Sequence, residues 1–167
     1  MTPAELLVES FERVLESGTA VVDGLSADQL ARRPGPDANP IGWLVWHLAR
    51  VQDDHVADVA GIEQVWTSQG YVARFALPFE DADIGYGHSS EQVGQVRAEG
   101  EPLAAYLAAV HEQSVGFLRG LGEGDLDRIV DERWDPPVTL GVRLVSVVDD
   151  DTQHVGQAAY VRGLLGL

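Results

Sequence analysis

The sequence predicts an all-α protein: a four-helix bundle with a long crossover between its second and third long helices. Three observations carry this prediction. Four long stretches place apolar side chains three and four residues apart, as one face of an amphipathic helix requires. Proline, glycine or a capping residue brackets most of them. No stretch alternates apolar and polar side chains as a half-buried strand would, and the Val-rich run Val142 to Val148 is read as part of a helix.

In chain order, Thr2, Pro3 and Glu5 open the first helix as N-cap, first helical position and closing member of a capping box. Leu6, Leu7, Phe11, Val14, Leu15 and Val21 form its apolar face; Gly18 weakens it slightly and Gly24 ends it. Ser26 to Leu30 adds one short turn, and Arg33 to Pro40 is a loop by its Pro and Gly content. Asn39 is expected to cap the second long helix, with Pro40 at its first position. That helix, roughly residues 40–58, aligns Ile41, Leu44, Val45, Leu48, Val51 and His55 along one side. His47 lies beside Leu44, Leu48 and Val51 and so points to the core or its edge.

From Gly61 to about Pro102 the periodicity weakens, but Trp66, Tyr71, Phe75, Phe79 and Tyr86 make it too aromatic for a disordered linker. It is expected to pack over the core, with a short helix opened by Ser89 and Gln92. The third long helix runs from about Glu101 to Leu121, with Leu103, Tyr106, Leu107, Val110, Ser114, Phe117 and Leu118 inward. A turn at Asp125 to Asp127 and a breaker at Asp135-Pro136-Pro137 precede the fourth, from about Thr139 to Leu164. Leu25 to Leu30 also echoes Leu121 to Leu126: each follows a long helix, precedes a Pro-containing loop and leads into a helix bearing a candidate ligand. Two helix pairs joined by a crossover make a four-helix bundle.

Composition narrows the function. The 167 residues, 45% of them apolar, are expected to form one domain over 1–167. With no cysteine, disulfides, zinc fingers and thiol nucleophiles are excluded, so any metal site must be built from His and carboxylate. Acidic residues number 27 against 11 basic, all arginine, for a net charge of −16. Such a surface opposes nucleic acid and anionic lipid, which demand a basic footprint. The first residues lack the basic start and apolar run of a signal peptide, and no stretch approaches the roughly 18 apolar residues that would span a bilayer. A soluble, cytoplasmic protein is expected. No G-x-S-x-G, P-loop or dinucleotide fingerprint supports other chemistries.

The chemistry concentrates on the fourth helix. Asp150 and His154 are four apart and share a face in the stripe Leu144, Val147, Asp150, His154, Ala158 and Val161. A carboxylate facing a core needs a partner, and a divalent metal held by Asp150, His154 and His47 would provide one. Two nitrogens and one oxygen suit zinc, and also iron, nickel or manganese. Three protein ligands leave a coordination position open for water or substrate. The competing carboxylate is Asp151, three residues before His154; otherwise Asp149 and Asp151 form a solvated edge or orient the imidazole. The plain reading of a histidine on an apolar face is a hydrogen-bonded structural residue, and this applies to His55 and His111. His88 either starts a short helix or lines a pocket lid; Trp43 and Trp46 pack around the His47 turn and one of them can wall the site.

At these residues the chain resembles the DinB-like metal-binding superfamily. More narrowly, it is similar to the branch that groups with the mycothiol-dependent maleylpyruvate isomerase N-terminal domain. The resemblance rests on Gly42-Trp43-Leu44-Val45-Trp46-His47-Leu48-Ala49, on Asp150-x-x-x-His154-x-Gly156-Gln157, and on Tyr160-Val161-Arg162-Gly163. It covers nearly the whole chain. It implies a four-helix bundle with an unusual crossover order and a divalent metal bound through His47, Asp150 and His154. Many relatives carry His at the Asp150 position, and the thiol-dependent branch carries Glu; Asp is one methylene shorter. The resemblance further implies a low-molecular-weight thiol, mycothiol or bacillithiol, as cofactor or co-substrate, transferred or added to a small electrophile. The anionic chain would then need arginines at the pocket, for which Arg50 and Arg162 are candidates. A non-catalytic metal-binding stress-response bundle and a metal-dependent hydrolase share the same ligands, and a pocket leading to the open position separates an enzyme from a sealed structural site. The oligomeric state is left as monomer or homodimer.

Overall fold

Thr2 opens α1 (Pro3–Val22) through the capping box its sequence predicts: its hydroxyl accepts the Glu5 N–H at 3.1 Å and the Glu5 carboxylate accepts the Thr2 N–H at 2.7 Å. Ser26 and Gln29 repeat this device at α2 (Ala27–Leu30). The structure, a computed structural model, describes residues 1–122 and 124–167. Three further long helices follow: α3 (Ile41–Ala60), α7 (Gly100–Arg119) and α8 (Leu140–Leu165). Between α3 and α7 the crossover folds into three short helices, α4 (Val65–Ser68), α5 (Tyr71–Phe75) and α6 (Ser90–Gln95). None of the described helices is long and apolar enough to cross a membrane.

The long helices pack in a ring. α1 contacts α7 and α8, and α3 contacts the same two helices, while α1 and α3 face each other across the diagonal. This crossover order puts α3 beside α8, the two helices that carry the candidate ligands. Phe11, Leu44, Leu48, Leu107, Leu118 and Leu144 fill the interior at 1% exposure or less, and their burial supplies the main driving force. Gly18 does more than weaken α1. A Cβ there would fall 2.5 Å from Leu107 Cδ2, so its missing side chain lets α1 approach α7.

Two expectations, the Asn39 cap and the absence of strands, are corrected. Asn39 does not cap α3: Pro40, in extended conformation, is the N-cap, its carbonyl accepting the Leu44 N–H at 3.1 Å, and the helix begins at Ile41. As expected, Gly24 ends the first helix: α1 runs to Val22, Asp23 is its C-cap, and Gly24 at a φ of +71° turns the chain. A two-stranded antiparallel hairpin, β1 (Ile129–Asp131) with β2 (Val138–Thr139), precedes α8. Strands of three and two residues are too short to show alternation.

The aromatics of the crossover do pack inward, with Trp66, Tyr71 and Phe75 around Tyr106 of α7 at centroid distances of 5.2, 4.8 and 6.0 Å. The internal echo has a structural counterpart. A Cβ on Gly42 would meet the Leu30 carbonyl at 3.3 Å, and one on Gly141 would meet the Leu126 carbonyl at the same 3.3 Å. Each short turn thus abuts the first residues of the following ligand-bearing helix. Glu123, inside the second copy, lies outside the described residues.

Candidate metal centre

His47 projects from the middle of α3, and Asp150 and His154 project one turn apart from α8. One donor atom from each lies within 4.8 Å of the others, and among the described residues no other three His, Asp or Glu side chains converge this way. His47 is buried, and Asp150 and His154 are half-buried.

The hydrogen bonds around the imidazoles fix which nitrogen is free. His47 Nδ1 lies 2.5 Å from the Ile84 carbonyl, and His154 Nδ1 lies 3.0 Å from Gln157 Oε1. Both partners are acceptors, so both rings carry the proton on Nδ1 and keep a lone pair on Nε2. His154 Nε2 is 3.6 Å from Asp150 Oδ1. The second Asp150 oxygen is buried with no hydrogen-bond partner. A protonated His154 would give an ordinary ion pair with Asp150, but would leave that oxygen orphaned. A divalent cation accepts two imidazole nitrogens and a carboxylate together, and imidazoles oriented through their far nitrogens are the usual arrangement around a metal. The residues present therefore fit a metal ion.

Electrostatics agree. Burial, helped by the neighbouring His154, pushes the His47 pKa down against the opposing Ile84 hydrogen bond and Asp150 charge. The ring is neutral at neutral pH, the form that ligates metals. Trp43 stacks on His47 at 4.6 Å with an interplanar angle of 15° and meets His154 edge-on at 6.1 Å, so it walls the site. Its indole N–H donates to His88 Nδ1 at 3.2 Å, and His88 Nε2–H donates to Asp83 at 3.0 Å. His88 thus fixes the wall, with its side chain packed against Trp46 and Phe79.

Asp151 is not in the triad. One residue turns a helix by about 100°, which carries Asp151 onto the innermost line of α8 with Leu144, Val147, Val155 and Ala158. It is fully buried and neither carboxylate oxygen has a partner. Burial, with the Asp150 charge beside it, pushes its pKa well up. The solvated edge expected for Asp149 and Asp151 therefore holds for Asp149 alone, which accepts from the exposed Gln153 at 2.8 Å.

A cleft of about 340 Å³ reaches His47 and Asp150, with Val51, Ile84, Val138 and Val147 among its walls and Tyr86 and Trp134 at its rim. Tyr86 and Trp134 are 90% and 66% exposed, so the mouth offers aromatic surface to solvent. Neither arginine expected at the pocket lines it. Arg50 is fully buried, and Arg162 caps α1 by donating to the Ala20 and Val21 carbonyls at 2.8 and 3.0 Å. Arg143 lines it instead, bonded to His55 Nδ1 at 3.0 Å and to Asp131 at 3.2 Å. Sequence reasoning missed Arg143 because its role depends on the unforeseen hairpin that supplies Asp131. It also missed Ile84, whose carbonyl leaves no trace in residue type. Gln157 stood in the quoted motif, and its spacing of three from His154 was the available signal.

The chain is similar to a solved structure described as the conserved protein of a locus from Enterococcus faecalis, with 32% sequence identity and a TM-score of 0.93. The match covers 100% of this chain and 99% of that one. No curated protein matches. The match to a protein family spans residues 10–158, covering α3 and α7 whole, most of α1 and α8, and both ligand-bearing segments, and on this ground the chain belongs to the DinB superfamily.

Proposed function

We propose that the protein is a divalent-metal-dependent enzyme that transfers or adds a low-molecular-weight thiol, of the mycothiol or bacillithiol type, to a small electrophile. His47, Asp150 and His154 hold the metal, with zinc fitted best by two nitrogens and one oxygen, and nickel, iron or manganese by the same donors. Bound there, a divalent ion supplies an open position that lowers the pKa of a sulfur or water donor. The protein's part is orientation and exclusion of water. Ile84 and Gln157 hold the two imidazoles in the metal-binding tautomer. Trp43 covers the face of His47 and meets His154 edge-on, and the apolar cleft walls receive the body of the reactants.

The cleft itself carries this reading, because a sealed structural site would have no passage to its ligands. The absence of cysteine agrees with a thiol brought in from solution. The net charge of −16 agrees with small-molecule rather than nucleic-acid partners. A metal-dependent hydrolase is the second reading, favoured by the same open cleft with water in place of sulfur. Metal-loaded protein tested with a panel of thiols and a generic electrophile separates the two. Thiol-dependent product formation that disappears with chelator is expected. Turnover that persists without metal rejects the mechanism, and turnover without thiol selects the hydrolase.

A further inference from the structure

Arg50 has its guanidinium fully buried in the protein. Its nearest carboxylate, Asp53 at 3.7 Å, is already committed: its oxygens accept the Val65 and Trp66 N–H groups at 2.9 and 2.8 Å and the Tyr106 hydroxyl at 2.8 Å. Two guanidinium bonds instead reach the crossover backbone, from Nε to the Asp83 carbonyl and from Nη2 to the Asp81 carbonyl, each at 3.2 Å. Nη1 is held by Gln64 Oε1 at 2.8 Å and Tyr106 at 3.2 Å, and the plane lies 4.9 Å from the Trp66 ring centre.

These bonds act on one residue, Ile84. The peptide unit before it is pinned through the Asp83 carbonyl by Arg50. The unit after it is pinned through the Gly85 N–H, which donates to the Asp83 carboxylate at 2.7 Å. With both planes fixed, the Ile84 carbonyl has one direction, and it points at His47 Nδ1. A buried charge is a costly way to tie down a loop, since apolar packing does so without desolvation. What a rigid guanidinium fork adds is direction. We propose that Arg50 is the positioning residue of the metal centre, setting the His47 tautomer through the Ile84 carbonyl so that Nε2 is presented to the ion. This rests on the His47, Asp150 and His154 site proposed above, but its primary readout needs no metal.

The test is the protonation pattern of the His47 ring by long-range nitrogen–proton NMR on the metal-free protein, followed by zinc titration against a competing chelator. Wild type, Arg50→Lys and Asp83→Ala are compared, with circular dichroism to establish folding. Wild type is expected to hold the proton on Nδ1. Arg50→Lys keeps the charge but loses the fork, so it is expected to mix the two tautomers and weaken zinc binding by about 10- to 100-fold. Asp83→Ala removes the acceptor of the Gly85 N–H at a partly exposed position and is expected to shift both readouts in the same direction. Folded Arg50→Lys with the proton still on Nδ1 and zinc affinity unchanged overturns the proposal. If Arg50→Lys does not fold, the tautomer is read in Arg50→Met, which keeps the apolar stem and loses both backbone bonds, and a proton still held on Nδ1 there overturns the proposal. Wild type that binds no zinc but loses its tautomer in the variants would sink the metal site and leave the positioning role standing.

Discussion

Gly85→Ala should damage the site through a single methyl group. Gly85 is buried at a φ of +88°, a conformation that side chains rarely adopt. The added Cβ would meet His47 Nδ1 and Trp46 Cζ3 at 2.9 Å each, and Trp43 Cζ2 at 3.3 Å. These are ring atoms of packed aromatics, not the ends of flexible chains, so the backbone must move away from His47. The left-handed backbone alone costs about 1–2 kcal/mol, which lowers Tm by about 2–8 °C in a chain of this size. Retreat of the backbone also takes the Ile84 carbonyl from His47 Nδ1. Loss of such an orienting partner weakens metal binding by about 10- to 100-fold, or about 1.4–2.7 kcal/mol. Calorimetric melting and zinc titration against a chelator measure the two effects separately. A variant that melts like wild type and binds zinc with wild-type affinity would refute the close approach and its role.

Other consequences are open to direct measurement. Asp151 is buried without a partner and its folded pKa is raised, so its contribution to stability is greatest below the unfolded value of about 3.9 and is lost as pH rises toward the folded one. Asp151→Asn should remove a loss of about 1.4 kcal/mol per pH unit over that window, and parallel denaturation profiles for the two proteins would show that the carboxyl is not buried as a neutral acid. His47 has its pKa lowered by burial, so the site should keep its metal below the ordinary histidine pKa of about 6.5, and release already near pH 7 would contradict this. Gly18→Ala should gain helix propensity of about 1 kcal/mol and lose about 1–3 kcal/mol to overpacking against Leu107. A rise in Tm would mean that α1 and α7 are not held as closely as described.

Local signals carried most of the architecture. The capping boxes at Thr2 and Ser89, the short turn at Ser26 to Leu30, the apolar spacing of the long helices and the aromatics between them all found their expected places, because each reflects short-range chemistry. The long crossover and an unusual helix order were expected, but which helices are neighbours was not, because that depends on long-range packing. At the site, the spacing of Asp150 and His154 placed them together, and His47 joined them because the crossover puts α3 beside α8. Side-chain direction at single-residue resolution was harder to read. Asp150 and Asp151 both lie within one turn of His154, and packing against the other helices decides which faces the core. Arg50, Ile84 and Gly85 were illegible as a group because their effect runs through backbone carbonyls and a positive φ.

The central claim, that His47, Asp150 and His154 hold a divalent metal, is tested most directly by elemental analysis of purified wild type beside His47→Ala and His154→Ala. Wild type should carry one divalent ion per chain, and each variant should fold but lose it. Wild type that takes up no metal after incubation with zinc, or variants that retain it in full, would contradict the account.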